Sequence, residues 1–170
     1  MTASSRLLIM GGLSLAAFGM LYGLHYALFV EHQTLDQMGG SLTQAFVHAA
    51  ERNPDQARAA LDAYGSIKYD YVRQVDAHSH WIGLAMLMIV LGAVFQRVHF
   101  AEGMRQGIAF SLLVGSAVFP LSVILQTYHH DAIALTLLAV VSSGLVIAAL
   151  AATAWGLARQ GLMSERDRET

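Results

Sequence analysis

His78 and His80 stand two residues apart in Ala-His-Ser-His-Trp, directly before the apolar run that begins at Ile82. Imidazole is the side chain most often used to bind haem iron, copper or zinc. On an α-helix, residues two apart point about 200° away from each other. The pair is therefore predicted to address two different neighbours from one helix. His25 lies near the end of the first apolar segment, His32 just beyond it, and His129-His130 at the end of the third. If those segments cross a membrane, all six histidines lie at one of its surfaces. His25 falls about one turn inside, a depth where an ionisable group is a functional hypothesis by default.

Two ligand sets follow. Haem b needs an apolar slot between helices and one or two axial imidazoles; His25 and His80 are the predicted pair, with Met86 or Met88 lining the slot. Copper or zinc needs three or four converging donors. His78, His129, His130, His32, Glu31 and Asp131 are the predicted candidates. Adjacent residues such as His129 and His130 rarely both aim inward, so one of them is expected to be spare. His48 and His99 read as solvated surface residues.

The elements that must position these groups are apolar helices. Of 170 residues, 55% are hydrophobic and 13% charged, the composition of a polytopic membrane protein. There is no cysteine, which excludes disulfides, Cys-ligated clusters and covalent haem attachment. A net charge of −2 gives no reason to expect a nucleic-acid partner. Spans are predicted over residues 7–30, 80–96, 106–128 and 132–157, none containing Asp, Glu, Lys or Arg. The first is too long for a signal-peptide core and reads as a retained anchor. The predicted fold is an all-α, four-helix transmembrane bundle forming a single integral membrane domain over 1–170.

Arg6, Arg97, Arg105, Arg159, Arg166 and Arg168 fall on the side of both termini, close to helix ends. Arg52, Arg58, Lys68 and Arg73 fall in the long first connection, diluted by acidic residues. The positive-inside rule then predicts cytoplasmic termini and an outer first connection, in a bacterial inner membrane.

That connection is predicted to form a helical hairpin over about 40–78. Gly39-Gly40 marks its first turn, and Ser41-Leu-Thr-Gln44 reads as a capping box. Asn53-Pro54 starts a second helix, with Pro at the first helical position. Ala57, Leu61, Tyr64, Ile67, Tyr71, Val75 and His78 recur at steps of three and four, in phase with the second span. One long helix is expected, softened at Gly65-Ser66. Gly19-x-x-x-Gly23, and Gly107, Ser111 and Gly115, are spaced for close helix contact. Pro120 is expected to kink the third span.

His78, His80 and Gly83, with the apolar run after them, resemble the His-x-His helix of haem–copper oxidase catalytic subunits. They also resemble that of small bacterial membrane proteins described as responding to nitric oxide. The resemblance covers about 20 residues, and no clear His-His or His-Tyr copper-site motif accompanies it. It implies haem or metal at the helix ends, and does not imply oxygen reduction.

The expected function is membrane electron transfer by b-type haem at the periplasmic face, with quinol or a redox protein as partner. Membrane lipid and a further copy of the chain are the other expected partners. Copper or zinc binding by the same histidines is one alternative. A non-catalytic accessory subunit of a larger complex is the other, since no catalytic acid, base or nucleophile constellation is recognisable.

Overall fold

The described residues form five α-helices and one 3₁₀ turn: α1 (Ala3–Phe29), α2 (Glu31–Ala50), α3 (Pro54–Val94), the 3₁₀ turn (Phe95–Arg97), α4 (Glu102–Tyr128) and α5 (Ile133–Glu169). This is a computed structural model that describes residues 1–130 and 132–169, with side chains to Arg159. Among the described residues, four helices are long and apolar enough to cross a membrane: α1, α3 with the 3₁₀ turn, α4 and α5. The molecule is a multi-pass, all-α membrane protein. Both termini lie at one end of the bundle, and α2 lies at the other.

Lipid offers no hydrophobic drive for helix association, so close packing and hydrogen bonds must hold the bundle. Glycine supplies the closeness between α1 and α3. A Cβ on Gly12 would sit 2.9 Å from the Ala85 carbonyl oxygen, and one on Gly19 would meet Trp81 and Ile82 at 3.1 Å. Leu8, Leu15, Trp81, Ala85, Met88, Phe95, Ala109 and Leu112 fill the interior. Trp81 anchors it, donating its indole N–H to the Ala117 carbonyl of α4 at 3.4 Å while Phe18 and Tyr22 stand edge-on to the ring. Among the described residues α5 packs chiefly on α4; a Cβ on Gly115 would sit 2.9 Å from the Ser142 carbonyl oxygen.

At 41 residues α3 is about 60 Å long, roughly twice the hydrocarbon thickness of a bilayer. Its first half projects beyond the bundle and pairs with α2. The expected turn at Gly39-Gly40 is absent. Both glycines lie inside α2, which starts at Glu31 after a single break at Val30, and Ser41 caps nothing. Helix hydrogen bonding resumes at once, the Thr34 N–H donating to the Val30 carbonyl at 3.1 Å, so the glycines cannot act as a stop. The chain reverses at Glu51–Asn53, where Arg52 takes a positive φ of 56° and the Asn53 side chain caps α3. α3 runs unbroken through Gly65-Ser66.

The hairpin is held by two seams of three-and-four spacing. α2 turns Glu31, Thr34, Met38, Ser41, Ala45 and His48 inward, and α3 answers with Ala57, Ala60, Tyr64, Ile67 and Tyr71, the same stripe continuing through Gln74 and His78 toward α1. Leu61 and Val75, expected in that stripe, are exposed at 49% and 37%. A seam that alternates three and four exactly in register with a partner follows a 3.5 period, and it leaves one residue after every inner pair on the flank.

Candidate functional site

α3 carries His78 and His80 to the hairpin end of the bundle and turns them apart. His78 faces α1: its Nδ1–H donates to the Gly19 carbonyl at 2.9 Å, and its ring fills the space that the missing side chain of Gly23 leaves. His80, about 200° round the helix, faces away from α1. Its Nδ1–H donates to the Asp76 carbonyl of the preceding turn at 2.6 Å, and its ring stands edge-on against Phe119 of α4 at 5.0 Å between centroids. A carbonyl can only accept, so in both rings Nδ1 carries a proton, which in the neutral imidazole leaves the lone pair on Nε2.

The two Nε2 atoms meet different surroundings. That of His78 belongs to a half-buried ring lying where a side chain on Gly23 would stand. That of His80 belongs to an exposed ring beside an open groove of about 340 Å³, lined by Ser79, His80, Gly83, Leu84 and Leu87. The groove is almost wholly apolar, and a Cβ on Gly83 would meet nothing within 4 Å.

The predicted haem pair is not brought together. His25 is exposed on α1 with its ring against Phe29 of the same helix, 5.4 Å between centroids. His78, not His80, is the histidine that α3 presents to α1, and the core at that level is filled by Ala77, Trp81 and Tyr22. Of the predicted pair, His80 lines a cavity, and His25 does not share it. Met88 is buried in the core, while Met86 is exposed on the outside.

The predicted copper or zinc set is dispersed as well. Among the described residues, no three His, Asp or Glu side chains could hold one ion. His78 is committed to α1. His32 is exposed and reaches only Asp36 at 3.4 Å, one turn along α2. Glu31 accepts from the Tyr71 hydroxyl at 3.3 Å. His129 is exposed where α4 ends, and His130 is drawn the other way, its Nε2 2.8 Å from Asp70 Oδ1. Asp131 lies outside the described residues. Of the two surface histidines, His99 is exposed as expected, whereas His48 sits half-buried in the hairpin seam, 3.3 Å from Glu51.

A polar belt that the histidine pattern did not signal ties α1, α3 and α4 together at this level. The Tyr22 hydroxyl donates to Gln74, Gln74 reaches Thr127 Oγ1 at 3.4 Å, and Arg73 donates to the buried Gln126. Arg73 also lies over the Tyr69 ring, 4.7 Å from its centroid, and His130 leans on the same ring. One sign of it was available: Gln126 is an amide inside an otherwise apolar span, a residue that needs a partner. Compared with known proteins, the chain matches no family model, no curated protein and no solved structure.

Proposed function

We propose that this chain is a membrane b-type haem protein of electron transfer, with His80 as axial ligand. One observation carries the reading: the Nδ1–H of His80 is held by the Asp76 carbonyl, so Nε2 presents its lone pair toward an apolar groove beside Gly83. Ligating histidines are commonly fixed in tautomer and orientation by such a bond from the second nitrogen, which also raises the basicity of the first. Haem, when bound, supplies reversible one-electron chemistry. The chain's residues hold the imidazole against Phe119, line the groove with apolar side chains and leave room at Gly83. In this reading the hairpin end is periplasmic, in a bacterial inner membrane, and the electron partner is quinol or a redox protein.

A second reading, a non-catalytic accessory subunit, is favoured by His78 and His130, which both serve contacts between helices. Optical spectra of the protein purified from haem-replete cells, oxidised and dithionite-reduced, separate the two. Haem absorbance that is lost in His80→Ala and kept in His78→Ala and His25→Ala is the expected result. Equal loss in His25→Ala would overturn the single-ligand assignment. A colourless, haem-free protein would overturn the haem reading and leave the accessory role.

A further inference from the structure

At the termini end, the link between α3 and α4 forms a small polar pocket of about 280 Å³, lined by Gln96, Val98, His99, Phe100, Ala101 and Arg105. Arg105 is largely buried there. One of its terminal nitrogens donates to the Gln96 carbonyl at 3.2 Å, and the other pairs with Glu102 at 2.6 Å. Glu102 is further occupied by the Ser4 backbone N–H at 3.0 Å. The link is pinned to α5, the His99 N–H donating to the Gly156 carbonyl at 3.1 Å, and Val98 and Phe100 press on Gly156. Exposed Arg97 adjoins the pocket, and exposed Arg159 lies one turn beyond Gly156. Arg105 and Glu102 neutralise each other, so among the described residues the positive charge of the rim comes from Arg97 and Arg159.

A second cavity lies within about one turn of it along α4. Met104, Gly107, Ile108 and Ser111 of α4, with Leu145, Ala148, Ala149 and Ala152 of α5, line an apolar groove of about 350 Å³. Met104 is next to Arg105, and Ala152 is one turn from Gly156. Gly107 was expected to seat a neighbouring helix, yet a Cβ there would meet nothing within 4 Å. A polar pocket at the α3–α4 link with arginines at its rim, and an apolar trough about one turn further along α4 and α5, have the order of groups in a phospholipid. We infer that this is a binding site for an anionic phospholipid, its phosphate headgroup at His99 and Arg105 and an acyl chain along Gly107 and Ala152. Basic pockets between spanning helices are suited to such headgroups.

The site is tested by native mass spectrometry of the detergent-purified protein with phosphatidylglycerol or phosphatidylcholine of matched chains. Phosphatidylglycerol should be retained about fivefold better, the value of roughly one favourable charge contact at the surface. His99→Glu keeps the Arg105 brace and should remove that preference. Gly107→Leu fills the trough without meeting its walls at Cβ and should lower retention of phosphatidylglycerol. Unchanged helical content in both variants establishes that folding is intact. Equal retention of the two lipids by the wild type would overturn the proposal, as would wild-type binding by either variant. Inorganic phosphate should leave the melting temperature where it is; a shift equal to that given by the lipid would make this a free-phosphate site and overturn the lipid assignment.

Discussion

Gly23 and His78 are a matched pair, one lacking the volume that the other supplies. Adding a methyl group at Gly23 drives it into the imidazole, whose Nδ1 is already fixed by the Gly19 carbonyl. Gly23→Ala should therefore destabilise the protein by about 1–3 kcal/mol, the usual cost of overpacking. His78→Ala should cost a similar amount by leaving a void and losing the bond. In the double variant the added methyl meets no ring, so the combined loss should fall short of the sum. Thermal melts of the four proteins in detergent measure this, and strict additivity would mean the two residues do not touch. The spacing of His78 and His80 was enough to read that they serve different faces, because helical geometry alone fixes it. Which neighbour each one meets was not legible, since that depends on where Gly19 and Gly23 let α1 approach. The same limit explains His25: its depth in α1 is written in the sequence, but its azimuth toward α3 is not.

Among the elements, the spans were readable from uninterrupted apolar runs, and the start of α3 from Asn53-Pro54. The error at Gly39-Gly40 arose from treating paired glycines as a stop. A helix tolerates them at roughly 0.5–1 kcal/mol each when its inner seam pairs with a partner helix, as the α2 seam does with α3. Both glycines face open space. Gly39→Ala and Gly40→Ala should therefore each raise stability by about 0.5–1 kcal/mol, a rise in melting temperature that a true turn with positive φ would turn into a fall. Ala60 lies on the α3 seam, inside an unbroken helix. Proline there removes a backbone donor and clashes with the preceding turn, and should cost roughly 3 kcal/mol or more. An unchanged melt for Ala60→Pro would contradict a continuous α3.

On the scale of the whole molecule, four spans require both termini to share one side and the α2–α3 hairpin to occupy the other. Which side is which rests on charge. Arg6, Arg97, Arg105 and Arg159 cluster at the termini end near span boundaries, where basic residues weigh most in setting orientation. The hairpin carries four bases among seven acids, so it presents little barrier to export. The chain has no cysteine, which makes single-cysteine labelling free of background. Gln56 and Arg159 are both exposed, one near the hairpin tip and one near the termini end. On intact bacterial spheroplasts, an impermeant maleimide should label Gln56→Cys and reach Arg159→Cys only after the membrane is opened. The reverse pattern would place the termini outside. That would set the His80 groove at the cytoplasmic face and remove a periplasmic electron partner from the proposed function. Labelling of both positions without permeabilisation would be incompatible with a bundle in which α3, α4 and α5 separate the two sites by three crossings.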